Sequence, residues 1–183
     1  MSLQRTPGIR PRPTFWRQLD AAARRSFPAT CTALLLLLTA APLGLPGQAQ
    51  LQPAVAVGCV FFWSMLRPGS MPLPAVFLLG LLSDLLGLTP PGVSVLTLLL
   101  THGLATRWRR ALAGQGFLAV WLVFIGVAGG AAALQWAIIG LLSFRLLPGN
   151  AVLLQFGLTA GLYPALALLF TLAHRGLADP DQA

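Results

Sequence analysis

The chain has 183 residues, of which 56% are hydrophobic and only 9% charged, against about 25% charged residues in a soluble globular domain. There is no Lys and no Glu, so the net charge of +8 comes from 12 Arg set against Asp20, Asp84, Asp179 and Asp181. So large a basic excess would suggest nucleic acid in a soluble protein, but here the arginines flank apolar runs, a pattern of charges that orient a chain in a bilayer; an ordinary soluble fold and a nucleic-acid binder are both excluded.

Residues 1–26 hold six of the arginines together with Pro7, Gly8, Pro11 and Pro13, a composition that cannot build a core. They read as a cytoplasmic tail, with Phe15, Trp16 and Leu19 at the membrane surface. Six apolar segments follow, at about 27–45, 50–66, 72–88, 93–106, 116–142 and 151–173, punctuated by Pro and Gly, and residues 174–183 form a second tail. A straight crossing takes about 20 residues. The second, third and fourth segments are therefore short, while the fifth is long and must tilt or break, with Gly129 and Gly130 the expected place for a break.

Eleven arginines fall on one side of such a layout and Arg145 alone on the other. The excess of positive charge on the cytoplasmic side predicts both termini in the cytoplasm and an even number of spans. The expected fold class is an all-α polytopic membrane protein with six transmembrane helices. Arg24-Arg25-Ser26-Phe27 before a leucine run also has the shape of an export signal, but no soluble domain follows for it to deliver.

Asp84 is the one acid inside an apolar run, FLLGLLSDLLGLTPPG at 77–92. An ionised Asp at the centre of a span costs about 2.5 to 3.5 kcal/mol, so it needs a partner or a use. It lies about 7 Å short of the turn that begins at Thr89, shallow enough for a smaller cost. Two readings stand: a binding or coupling carboxylate, and a structural acid that hydrogen-bonds neighbouring helices. Thr97, Gln135 and Gln155 fall at matching depth, which predicts a polar layer with Asp84. Arg145 can reach into that layer to pair with Asp84, or remain a solvated loop charge.

Thr101 and His102 lie deeper. A single His with no second imidazole or carboxylate at ligand spacing reads as a hydrogen-bonded packing residue rather than a metal ligand. No nucleophile with a base and an orienting acid can be assembled, so no metal, cofactor or catalytic step is expected. Cys31 and Cys59 sit in apolar runs without ligand spacing and read as small buried hydrophobes.

Small residues recur at three- or four-residue intervals: Gly126, Gly130 and Ala133; Gly157 and Gly161; Ala29 and Ala33. Such faces let membrane helices approach closely, where packing drives association, and any face left uncovered is open to a partner. Gly80 and Gly87 on either side of Asp84, with Gly92 beyond, are assigned the same packing role.

From Pro53 to Arg110 the order of residues resembles the bacterial rod-shape-determining MreD family: Pro53, Phe61-Phe62-Trp63, Arg67-Pro68, Phe77, Gly80 to Asp84 as GLLSD, Gly87, Gly92 and the run from Leu96 to Leu100. The spacing of Gly80, Asp84, Gly87 and Gly92 is the specific part. Elsewhere the likeness rests on size, six-span layout and Tyr163-Pro164, and the 26-residue tail is longer than the family pattern. The resemblance implies a non-enzymatic inner-membrane component of the machinery for lateral peptidoglycan synthesis. Its implied partners are the bitopic MreC, the actin-like MreB on the cytoplasmic side, RodA and a peptidoglycan transpeptidase. The alternative expectation is a small-solute-binding subunit of a vitamin-type uptake transporter, which the size and the Ala29/Ala33 pair also resemble; the short outer loops argue against a roofed pocket.

Overall fold

The computed structural model describes residues 15–41, 44, 48–87, 89–143 and 149–178, with side chains from 26 to 169 within these. Arg145 lies outside the described residues, as do 1–14 and 179–183 of the two tails. Six helices follow one another: α1 (Phe15–Ala40), α2 (Gln48–Leu66), α3 (Leu73–Gly87), α4 (Val93–Leu112), α5 (Phe117–Ser143) and α6 (Gly149–Ala178), with a 3-10 turn at Pro68–Ser70 between α2 and α3. There is no strand among the described residues.

Three of the helices, α2, α5 and the Gly149–Leu169 part of α6, are long and apolar enough to cross a membrane. The surface agrees, because Leu34, Leu85, Leu118, Leu141 and Leu153 are each more than 60% exposed, a display of large apolar side chains that a soluble monomer rarely makes. The chain is a helical membrane protein. In hydrocarbon every backbone polar group must be satisfied internally, which is why the apolar runs are helices.

The helices depart from the apolar segments at several points; α6, for one, runs on to Ala178, into the expected tail at 174–183. α1 begins at Phe15, twelve residues before the first apolar run, because WRQLDAAARR is rich in strong helix formers. α4 continues to Leu112 and carries Arg107, Arg109 and Arg110 on its last turns, where cations complement the negative end of the helix dipole. α5 is unbroken through Gly129 and Gly130, contrary to the expected break. A Gly in a helix costs about 1 kcal/mol, less than leaving backbone groups unpaired in lipid.

Side-chain bonds fix the helix directions. Gln48 at the start of α2 donates to the Thr39 carbonyl at 3.1 Å and to that of Ala41, at the end of α1. Near the opposite end, Phe27 of α1 meets Trp63 of α2 edge-on at 6.1 Å. There Arg109 Nε of α4 donates to the Met65 carbonyl of α2 at 3.0 Å. The bundle thus has an arginine end and, at the tips of α3 and α5, an aspartate end.

α2 is the axis. Every residue from Ala54 to Ser64 is buried, and α2 packs against each of the other five helices. Two thirds of its span is enclosed (67%), against 28% for α5 and 22% for α6. Phe61 of α2 joins Phe124 of α5 and Tyr163 of α6, the latter two stacked at 4.1 Å, an arrangement that adds about 0.5–1.5 kcal/mol per pair beyond burial. A Cβ on Gly58 would lie 2.9 Å from Leu166 Cδ1, so glycine there lets α6 close onto α2.

Candidate functional site: a capped hairpin beside a polar pocket

The connection between α3 and α4 contains Pro90 and Pro91, which have no N–H, and Gly92 in the left-handed region at φ 98°. The first turn of α4 then presents N–H groups with no partner inside the helix. Asp84 meets them. Its Oδ2 accepts from the Gly92 N–H at 2.7 Å, and its Oδ1 accepts from the Ser94 N–H at 2.8 Å and the Thr89 hydroxyl at 3.1 Å. The Val93 N–H goes to the Pro90 carbonyl at 3.3 Å. Asp84 is only 4% exposed, yet both of its oxygens are occupied by donors at the positive end of a helix dipole, where charge-assisted bonds are strongest.

Gly80 brings the acid to that place. A Cβ there would stand 2.5 Å from Val95 Cα, so α3 and α4 touch backbone to backbone one turn below the carboxylate. Gly87 adds a second close approach, with Gln52 Oε1 3.3 Å from where its Cβ would be. Gln52 Nε2 in turn donates to the Ser83 carbonyl at 3.2 Å, tying α2 to α3.

On the other side of the same end, Gln155 Nε2 of α6 donates to Gln135 Oε1 of α5. Between the two clusters lies a pocket of about 170 Å³, lined among others by Gln52, Ser83, Thr89, Ser94, Gln135 and Gln155. Among the described residues no ionisable side chain lines it, and those that do offer hydrogen-bond donors and acceptors.

Of the expected polar layer, Asp84, Gln135 and Gln155 lie at this end, in two clusters with the pocket between them. Thr97 is buried one turn further along α4, where its hydroxyl donates to the Val93 carbonyl at 2.8 Å and its side chain borders a groove between α4 and α5. Arg145 is outside the described residues. Gln52, Ser83 and Ser94 escaped the sequence reading. Gln52 stands four residues into α2, so the depth rule that picked out Gln155 would have found it too.

The small residues divide. Gly80 and Gly87 are at close approaches, and Gly129 faces Phe156 at 3.4 Å. Gly92 is not at a packing contact: nothing lies within 4 Å of its Cβ position, and its role is the positive φ of the turn. Gly126, Gly130, Gly157 and Gly161 likewise meet nothing within 4 Å and are exposed, so among the described residues they pack against no neighbour.

Deeper in the bundle, His102 Nδ1 of α4 is 2.8 Å from Ser64 Oγ of α2, a packing hydrogen bond whose partner the sequence reading did not name. Among the described residues no three His, Cys, Asp or Glu side chains are grouped to hold a metal, and Cys31 and Cys59 are free thiols. Compared with models of known families, with curated proteins and with solved structures, the chain matches none.

Proposed function

We propose that the chain is a six-span inner-membrane scaffold of the rod-shape-determining MreD type, with both termini cytoplasmic, that organises the machinery for lateral peptidoglycan synthesis and so maintains cell shape. The observation that carries this reading is the open small-residue surface of α6. This helix is the least enclosed of the long apolar ones, and among the described residues nothing covers Gly157 and Gly161 on it. Small faces in lipid are where a further helix packs most closely. Asp84 supports the reading in another way, since its oxygens are engaged in holding the fold together. The orientation rests on the arginine count, which turns the arginine end toward MreB and leaves the apolar flanks for MreC, RodA and the transpeptidase.

The test is co-expression with MreC and purification in a mild detergent. The two should co-purify, and Gly157→Leu or Gly161→Leu should abolish co-purification while leaving the amount of chain in the membrane unchanged. Retention of MreC by both variants would remove the basis of the proposal. One observation favours a second reading, the small-solute-binding transporter subunit: the polar pocket at the aspartate end. A small molecule retained tightly by the purified chain would establish that reading in place of the scaffold.

A further inference from the structure

Along the other flank of α5 runs a groove of about 470 Å³, bounded by Thr97, Leu100, Thr101, Leu104 and Trp108 of α4, with Gly126 and Gly130 of α5 in its opposite wall. Its walls are apolar in effect, because the hydroxyls of Thr97 and Thr101 donate to the carbonyls of Val93 and Thr97, each at 2.8 Å. From Thr97 to Trp108 the groove follows α4 for about 16 Å. That is about the depth of one leaflet of a roughly 30 Å hydrocarbon core, and about half of what a crossing helix occupies.

The groove ends at the arginine end. Trp108, 43% exposed, borders it there, and Arg107, next to it in sequence, is exposed. Arg107 is three residues beyond Leu104 and so on the groove side of α4. Arg110 lies about 200° round the helix from Trp108, and Arg109 is engaged elsewhere, with its Nε on the Met65 carbonyl. Residues 93–143, which include both walls, contain no Asp or Glu. An apolar channel one leaflet long, with an amphipathic indole and a cation at its mouth, matches a lipid with a negative headgroup.

We propose that the α4–α5 groove binds one acyl chain of an anionic phospholipid, whose phosphate headgroup is held by Arg107 beside Trp108. This gives the Gly126 and Gly130 side of α5 to lipid, leaves Gly157 and Gly161 of α6 to a partner helix, and does not depend on which leaflet the arginine end faces. Charge complementarity and the length of the groove select lipid over a partner helix, which would need a channel running the full thickness of the core.

The full chain, purified in mild detergent, is examined by native mass spectrometry with phosphatidylglycerol and phosphatidylcholine added in equal amounts. At roughly fivefold per arginine, phosphatidylglycerol should be retained with about a fivefold preference. Arg107→Gln should bring that preference to parity, Arg110→Gln should leave it unchanged, and Gly126→Leu, which fills the groove, should lower retention of both lipids. Parity in the unaltered chain, or an unchanged preference in Arg107→Gln, overturns the proposal. A benzophenone side chain placed at Leu104 and irradiated in native membranes should attach to lipid; attachment to a second copy or to another protein's helix would assign the groove to that occupant instead.

Discussion

In the α3–α4 hairpin a Cβ on Gly80 would stand 2.5 Å from Val95 Cα, whereas on α5 and α6 a Cβ at Gly126, Gly130, Gly157 or Gly161 would meet nothing within 4 Å. The residue type is the same, but the surroundings are opposite. The hairpin is closed by a short turn and by an acid that caps the second helix from the first. α5 and α6 meet at fewer specific points: Trp121 Nε1 on the Ala160 carbonyl at 3.1 Å, Gln155 on Gln135, and Phe156 over Gly129. One pair of helices is complete in itself and the other keeps a face uncovered, so the same residue type serves internal closure in the first and outward contact in the second.

Substitution of the glycines should break that comparison most directly. Gly80→Ala sets a methyl group against backbone that cannot yield without parting α3 from α4, an overpacking that costs about 1–3 kcal/mol; Gly80→Val should prevent folding. Gly126→Ala and Gly157→Ala should stay within about 0.5 kcal/mol of the unaltered chain. Unfolding midpoints in detergent mixtures of rising denaturing strength report the difference. Equal losses at Gly80 and Gly126 would mean that the two regions are not distinct.

How much of this was legible beforehand follows from the same residues. Depth counting placed Asp84 just beneath the Pro-Pro-Gly turn and put Gln135 and Gln155 at one level, because rise per residue is fixed in a helix. It gave no azimuth. Gly129 and Gly130 are adjacent in sequence but about 100° apart round the helix, so one is covered by Phe156 and the other is open. Thr97 matched in depth and was assigned to the polar layer, yet its position round α4 sends it to the groove. Nor did the run around Asp84 reveal its donors. They are backbone N–H groups of Gly92 and Ser94, invisible to a search among polar side chains, although two prolines before a helix already imply that its first donors need an outside acceptor.

The cap itself is the next test. Asp84→Asn keeps one oxygen for Ser94 and Thr89 but turns an amide toward the Gly92 N–H, for an expected loss of about 1–2 kcal/mol. Asp84→Leu leaves every one of those donors without an acceptor in a buried site and should cost about 2–4 kcal/mol. Folded yield and unfolding midpoint should therefore rank the native chain above Asn and Asn above Leu. If instead both variants reach the membrane in normal amount and lose function equally, the negative charge acts in its own right and the cap is not its main role.

The smallest effect belongs to the weaker helix pair. Interhelical side-chain hydrogen bonds in membranes average about 0.6 kcal/mol, with a maximum near 1.7, because a released partner usually finds another. Gln135 has such a recourse: it borders the polar pocket, where its amide can turn to water after Gln155→Leu. The loss should thus be about 0.6 kcal/mol and smaller than that of Asp84→Asn. A double-mutant cycle with Gln135→Leu isolates the bond, and its coupling energy should account for most of either single loss. A coupling above the membrane maximum would show that α5 and α6 are held as firmly as the hairpin, and that their open glycines belong to a rigid wall rather than to a pair able to adjust around a partner.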